Sequence, residues 1–142
     1  MILRRHSRTV STWLARIAFA TVATGCVVPA AAAPAEPSYL ERIGEGIDLL
    51  RGDTPRQAED AFVAANLQDY SDPLGWIGLG AARLGRGYVD RAMADFAQAA
   101  HLAARGSAQA RAVTPLAQFG RAICLLQRGE VHAAAEELEA LA

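Results

Sequence analysis

The chain has 142 residues, of which 52% are hydrophobic and 20% charged, a composition typical of globular rather than disordered proteins. Its formal net charge is −1, but residues 1–35 contain four Arg and no acidic residue, whereas the rest contains 10 Arg and 15 Asp or Glu. This acidic body lacks the basic surface that phosphates require, so the composition excludes nucleic acid as a partner. The two cysteines, Cys26 and Cys124, form neither a disulfide framework nor a metal-binding spacing.

The first 35 residues have the layout of a secretory signal. Four Arg precede an apolar run at residues 17–28, Pro29 then interrupts the run, and three Ala supply a cleavage site. The run is shorter than the stretch of about 20 residues that a helix needs to cross a bilayer. We therefore predict a signal peptide over residues 1–32, a short Pro-containing linker over residues 33–38, and an exported, periplasmic protein.

Two other fates of this segment stay open. The stretch ATGC at residues 23–26 resembles the lipobox of bacterial lipoproteins, which implies lipidation of Cys26 and a signal that ends at residue 25. Alternatively, the segment stays uncleaved and anchors the protein. Contact with a membrane is expected only through a lipid on Cys26 or through this anchor.

Beyond Ser38, apolar residues recur with a helical period and without the alternation of strands, which predicts an all-α domain over residues 39–142. Six helices are predicted in three pairs: 38–51 with 54–70, 72–86 with 89–105, and 114–128 with 130–141. Three helix starts are marked by a capping residue followed by Pro: Thr54-Pro55, Asp72-Pro73 and Thr114-Pro115. The turns within pairs are predicted to contain glycines with a positive φ: Gly52, Gly87 and Gly129.

The domain contains an internal repeat. Residues 77–96 lie over residues 43–62 without a gap, and a weaker third copy follows at a longer spacing, with extra residues at 105–112. Small residues at matching positions are expected to let paired helices approach closely: Gly46, Ala58, Gly80 and Ala92. Large residues are expected to fill the space between adjacent pairs: Phe62, Phe96 and Leu138. Stacked pairs bury apolar faces that one pair cannot bury alone.

The spacing of the first two copies and these positions resemble the tetratricopeptide repeat (TPR) family, whose period is about 34 residues. The family's W-x-x-L-G pattern begins at Trp76, and its A-x-x-x-F pattern begins at Ala92. The sequence departs from the family at Arg83, where Tyr is usual, and at Ala104, where Pro is usual. The resemblance covers residues 39–142 and implies a right-handed superhelical stack of about three helix-turn-helix repeats.

In the TPR family, the first helix of each pair lines a concave groove that binds a segment of a partner. The resemblance assigns this partner-binding groove to twelve residues: Leu40, Ile43, Ile47, Leu50, Leu74, Ile77, Ala81, Leu84, Leu116, Phe119, Ile123 and Leu126. Nearly all are apolar, so we expect an apolar or amphipathic helix or peptide as the ligand rather than a charged peptide end. Two alternatives stay open: the stripes form the core of a small stack, or they contact a second copy in a homodimer.

No sequence motif indicates catalysis, a cofactor or a metal site. His101 and His132 have no metal-ligand partner at helical spacing. Cys124 lies in an apolar helix and is expected to be a buried small hydrophobe. Arg121 and Arg128 lie one turn away from it, which leaves a reactive thiol open as an alternative.

The remaining charges are interpreted as solvated helix faces, including the acidic pairs at 59–60 and 136–137. The last helix is expected to close the stack with one apolar face: Val131, Ala134, Leu138 and Leu141. Its outer side is expected to be polar: His132, Glu136, Glu137 and Glu139.

The resemblance implies a non-enzymatic adaptor or scaffold of the bacterial cell envelope that binds a protein partner and needs no cofactor. Small repeat lipoproteins that serve pilus or secretion machinery are similar in layout. A self-associating structural protein and a thiol-dependent redox protein that uses Cys124 stay open as alternatives.

Overall fold

The computed structural model describes residues 35–141, so the predicted signal peptide and Cys26 lie outside the described residues. Between these limits the chain is all-helical and contains no strand. The elements are α1 (Tyr39–Arg51), α2 (Pro55–Gln68), α3 (Pro73–Gly85), α4 (Val89–Arg105), α5 (Ala108–Ala112), α6 (Thr114–Gln127) and α7 (Val131–Glu139). No helix in this part of the chain is long and apolar enough to cross a membrane.

The helices form three consecutive hairpins. Short turns join α1 to α2, α3 to α4 and α6 to α7. Each helix packs on the next along the chain, except that α4 packs directly on α6 while α5 lies mainly against α4. The first helices of neighbouring hairpins also touch, α1 with α3 and α3 with α6. The predicted six helices in three pairs are therefore confirmed.

Helix α5 is an element that the sequence did not predict. It occupies most of the insertion at 105–112 and begins where the Ser107 hydroxyl accepts a hydrogen bond from the Ala110 amide at 3.2 Å. The helix spans little more than one helical turn, so the segment carries no period from which a helix could be recognised.

The middle residue of each hairpin turn has a positive φ. Gly87 and Gly129, with φ of 79° and 80°, confirm the prediction. Gly52 does not, because its φ is −79° and the positive φ of 55° falls on Asp53. Asp53 occupies the same position in the first repeat that Gly87 occupies in the second. The left-handed backbone conformation therefore falls at the same position of each repeat, whether or not a glycine stands there. Asp is one of the residues that tolerate this conformation.

The predicted helix caps are confirmed at one of three sites. Asp72 caps α3, accepting a hydrogen bond from the Leu74 amide at 2.9 Å. Thr54 precedes α2 but its hydroxyl donates to the Leu49 carbonyl at 2.8 Å, which ties the turn to α1 instead. Thr114 is the first residue of α6 and does not cap it.

The ring of Phe62 fills the space between the first two hairpins. It is 1% exposed and lies against Gly46 of α1 and Gly78 of α3. A Cβ on Gly46 would lie 2.6 Å from the ring, and one on Gly78 would lie closer still. Glycine is therefore required at both positions by close approach.

Phe96 repeats this arrangement between the second and third hairpins. It is 3% exposed and lies against Gly80 of α3 and Gly120 of α6, where added Cβ atoms would also collide with the ring. Phe96 is the repeat counterpart of Phe62, and Gly120 is that of Gly78 once the insertion at 105–112 is allowed for. The predicted packing role of the large and small residues is thus confirmed for Phe62 and Phe96.

Helix α7 does not close the stack as expected. On its apolar side only Ala134 is buried, whereas Val131 is 63% and Leu138 is 37% exposed. Leu138 stands in register with Phe96, which needs a following hairpin to cover it, and no further hairpin lies within residues 35–141. An apolar face in the sequence of α7 predicts that the face is buried, but it does not show which element would cover it. The prediction that α7 closes the stack therefore failed.

Candidate partner-binding cleft

An apolar cleft of about 380 Å³ lies between α3 and α6. Phe96 of α4 lies at its floor, and Gln127 is the only polar side chain among the lining residues. The remaining lining residues are Ile77, Ala81, Leu84, Gly85, Leu116, Phe119, Gly120 and Ile123. We refer to it as the α3–α6 cleft. None of these lining residues is positively charged, so they offer no ion-pair partner for a carboxylate.

Six of the predicted groove residues meet in this cleft, three from each helix. Ile77, Ala81 and Leu84 are half-buried and pack on the core around Phe96. Leu116 is 55% exposed, on the α6 side. Each of these three side chains of α3 thus packs on the core and also lines the cleft.

The first hairpin contributes little to an open groove. Ile43 is only 8% exposed and belongs to the core cluster around Phe62, so its assignment to a partner-binding surface is wrong. Leu50 is half-buried against the same cluster. Leu40 and Ile47 remain 72% and 41% exposed. Ile43 is buried in a cluster formed by residues of both α2 and α3.

The two other predicted groove residues lie outside the α3–α6 cleft. Leu126 is 48% exposed near the end of α6. Leu74 is half-buried and lines a second cleft of about 500 Å³ between the α2–α3 turn and α5. The insertion at 105–112 forms one wall of this second cleft, and the break in the repeat period was the only sequence signal for it.

The second cleft has both polar and apolar lining residues, and its two acidic groups are already engaged. Asp69 accepts hydrogen bonds from the hydroxyl and amide of Ser71, which hold the pKa of its carboxyl below the usual range. Asp72 caps α3. His101 and Arg105 line the opposite side. These contacts explain the carboxylates as parts of the turn and helix start.

A buried ion network joins α2, α3 and α4. Arg83 donates to Glu59 at 3.0 Å and to both carboxylate oxygens of Asp95 at 2.8 and 2.9 Å, and Arg86 also pairs with Glu59. The Glu59 side chain is 13% exposed, so its interpretation as part of a solvated face is wrong, whereas Asp60 is exposed. The signal for this network was Arg83, at the position where the TPR pattern has Tyr.

Burial and the arginines act in opposite directions on the two carboxyls. Burial favours the neutral form of Glu59, but hydrogen bonds from Arg83 and Arg86 outweigh it and hold its pKa below the usual value. Asp95 is 4% exposed, and this burial raises its pKa although Arg83 opposes the shift. The network links α3, which lines the α3–α6 cleft, to α2 and α4.

The second acidic pair also separates into two environments. Glu137 pairs with Arg121 across α6 and α7 and keeps 20% of its side chain exposed, so it is not part of a solvated face. Glu136 is 69% exposed, in agreement with the prediction. Arg121 consequently has a carboxylate partner rather than facing a thiol.

Cys124 is a fully buried free thiol. Burial raises the pKa of the thiol, so the thiolate that a nucleophile or redox centre needs is disfavoured. The two neighbouring arginines are committed elsewhere, Arg121 to Glu137 and Arg128 to Glu130 at 2.8 Å. Within residues 35–141, no group of three His, Cys, Asp or Glu side chains is placed to hold a metal ion.

No protein-family model matches the chain, and no curated protein matches it at a significant level. The functional argument therefore depends on the chain's own residues. Among the features of residues 35–141, the α3–α6 cleft combines an apolar lining, exposed large side chains and a floor that belongs to the buried core around Phe96.

Proposed function

We propose that the protein is a TPR-like scaffold that binds an amphipathic helix of a partner protein in the α3–α6 cleft. The observation that carries the proposal is the cleft itself, an open apolar surface on a packed core. The repeated seats of Phe62 and Phe96, at the spacing of the sequence repeat, support a right-handed superhelical stack of three repeats. In such a stack the first helices face the ligand.

The dimensions of the cleft favour a helical ligand. From Ile77 to Leu84 the cleft follows α3 for two helical turns, or about 10 Å at the rise of an α-helix. Two turns of an amphipathic helix present two or three apolar side chains over that length, at i, i+4 and i+7. The polar side of the same helix stays in water. The apolar lining therefore fits a helix face better than a charged chain terminus.

The site of action that we propose is the bacterial cell envelope. Its support is the layout of residues 1–32, with basic residues, an apolar run and small residues at a cleavage site. A lipid on Cys26 or an uncleaved signal would hold the scaffold at a membrane. Assembly of an envelope structure such as a pilus or secretion system fits a small tethered scaffold of this kind. Mass spectrometry of the protein purified from cells distinguishes a mature chain beginning near residue 33 from a lipidated one beginning at Cys26.

The experiment that tests the cleft compares two exposed leucines. Leu116→Glu places a charge at the cleft, and Leu67→Glu places the same charge on α2, where Leu67 is 84% exposed and lines no part of the cleft. Both variants are expected to fold because both side chains are largely exposed. Three forms of the protein are each used to capture proteins from an envelope extract: the wild type, Leu67→Glu and Leu116→Glu.

The proposal is supported if a protein binds the wild type and Leu67→Glu but not Leu116→Glu. A synthetic helix from that protein, with apolar residues at i, i+4 and i+7, must then bind the purified scaffold directly. Capture of the same proteins by all three forms, or binding of that helix to Leu116→Glu with unchanged affinity, would show that the α3–α6 cleft is not the binding site.

A further inference from the structure

The second cleft, between the α2–α3 turn and α5, shares no lining residue with the α3–α6 cleft. Its volume of about 500 Å³ lies within the range of about 300–1,000 Å³ that small-molecule sites occupy. Apolar side chains from several elements form part of its lining: Pro73, Leu74, Leu102, Ala110 and Val113. A lining that combines apolar side chains with a few charged groups is usual for a site that binds a small ligand.

The α5 wall of the second cleft is an addition to the repeat. Residues 69–72 alone join the first hairpin to the second, whereas residues 106–113, which include α5, join the second hairpin to the third. The added wall has its own fixed contacts, because the Ser107 hydroxyl caps α5 and Arg111 donates to the Gly106 carbonyl at 3.1 Å. Stacking of hairpins does not require this addition, since the first two hairpins pack on each other without one. The insertion therefore creates a cleft that the stack itself does not need.

Opposite charges line the two sides of the second cleft. Asp69 and Asp72 lie on the α2–α3 turn, and Arg105 is the last residue of α4. Arg105 is exposed and forms no ion pair with any residue of 35–141. Asp69 accepts both bonds from Ser71 on Oδ1, so its Oδ2 accepts no hydrogen bond from the described residues. A carboxylate oxygen and a guanidinium group of the same cleft are thus both open to a ligand.

We propose that the second cleft binds a short peptide with free ends, whose ammonium group pairs with Asp69 and whose carboxylate pairs with Arg105. A ligand with a carboxylate alone would bring that charge into the same cleft as Asp69 and Asp72. A ligand with an ammonium group alone would leave Arg105 without a counter-charge. Like charges in one site repel each other, whereas a zwitterion matches the charge on both sides of the cleft. Hydrogen bonds between charged groups are also about twice as strong as those between neutral groups.

The remaining lining residues determine the middle of the ligand. Asp69 and Arg105 form no ion pair, so their charged atoms are more than 4.0 Å apart and the ligand must bridge the space between them. The charged ends of a tripeptide lie up to about 10 Å apart, at about 3.3–3.6 Å per residue. An apolar side chain at its centre would leave water on contact with Leu74 and Leu102, which adds to the affinity. The tripeptide Ala-Leu-Ala meets these requirements and serves as the probe.

The test measures binding of Ala-Leu-Ala by isothermal titration calorimetry to the protein purified from cells that express the full chain. Two blocked forms of the peptide are the matched ligands: N-acetylation removes the ammonium charge, and C-terminal amidation removes the carboxylate charge. We expect the free peptide to bind, and each blocked form to bind about tenfold more weakly or worse, the usual loss for a hydrogen bond to a charged group. Absence of saturable binding of the free peptide overturns the proposal, as does equal binding of the free and blocked forms.

Two variants assign the two ends of the peptide. Arg105→Gln is expected to bind the amidated peptide as well as the free one, while it still discriminates against the acetylated one. Asp69→Asn is expected to show the reverse pattern, and its Oδ1 can still accept from Ser71. Arg91→Gln changes an exposed Arg of α4 that lines neither cleft, and Leu116→Glu changes only the α3–α6 cleft, so both should bind the peptide like the wild type whether or not the proposed function holds. Unchanged preferences in Arg105→Gln and Asp69→Asn, with unchanged circular dichroism, would overturn the proposal.

Discussion

Two phenylalanine rings, each seated between glycines of neighbouring helices, determine how closely the hairpins pack. A side chain larger than hydrogen at Gly46, Gly78, Gly80 or Gly120 would occupy the volume of Phe62 or Phe96. The repeat supplies its own control, because Gly44 occupies the same position in α1 that Gly78 occupies in α3 but seats no ring.

We predict that Gly78→Ala lowers the free energy of unfolding by about 1–3 kcal/mol, the usual cost of overpacking a core. Gly44→Ala is expected to raise it by about 0.5–1 kcal/mol, since alanine is the better helix former and the added methyl meets open space. Urea unfolding of the two variants checks the prediction. Equal effects of the two substitutions would show that the ring does not occupy the seat at Gly78.

The ion network around Arg83 contains Asp95 and Glu59, whose side chains are only 5% and 13% exposed. We predict that Arg83→Met lowers the free energy of unfolding by about 3 kcal/mol, because Asp95 is left buried without its partner. This is the lower end of the range for buried pairs, since Arg83 keeps 22% of its side chain exposed. Arg51→Met breaks a fully solvated pair with Asp48 and is expected to change stability by less than about 0.5 kcal/mol. A large loss in Arg51→Met, or none in Arg83→Met, contradicts this account.

Glu59 should make the fold sensitive to acid. Its pKa in the folded protein is held below the ordinary 4.5, so its carboxylate stabilises the fold above that pH and loses this contribution as the pH falls through the folded pKa. Asp95 acts in the opposite direction, because burial raises its pKa. We therefore expect Glu59→Gln to lose less stability than the wild type between about pH 6 and about pH 3, measured by urea midpoints. An equal loss in both forms would exclude Glu59 as a source of acid sensitivity.

Helix α3 illustrates how local signals position an element of the site. Asp72 accepts from the Leu74 amide and Pro73 follows in the first turn, so the start of the helix that lines the cleft is fixed by two adjacent residues. We predict that Asp72→Ala lowers the free energy of unfolding by about 1 kcal/mol. Thr114→Ala serves as a matched control. It is expected to remove no cap, because Thr114 lies inside α6 and makes no cap hydrogen bond. Chemical denaturation compares the two, and an equal loss would show that the Asp72 cap adds nothing.

The sequence predicted the long helices well and the short features poorly. The longer helices carry enough apolar period to be recognised, whereas α5 is too short to show one. The presence of Gly52 led to the prediction of a positive φ at that residue, whereas the positive φ occurs at Asp53, the middle residue of the turn. Thr54 looked like a cap, yet its hydroxyl donates backwards to Leu49. The hydrogen bond from Thr54 joins two elements, so the local sequence around Thr54 does not show it.

Across the whole molecule, one repeated position has three different surroundings. Ile43, Ile77 and Phe119 are in register, and the sequence assigned all three to one face. The three residues do occupy equivalent positions, but the exposed fraction of the side chain rises from 8% at Ile43 to 52% at Phe119, because the helices packed around each position differ. The sequence therefore predicted which residues share a face and could not predict which part of it stays open. That depends on the arrangement of complete hairpins.

The most direct test of the central claim is a methyl NMR titration of the purified scaffold with the partner helix identified by capture. The account predicts saturable shifts at the methyl groups of Ile77, Ala81, Leu116 and Ile123, with Leu67 and Leu138 unchanged. A scrambled helix of the same composition should produce none of these shifts. Shifts confined to Leu138 and Val131, or to Leu67, would contradict the assignment of partner binding to the α3–α6 cleft.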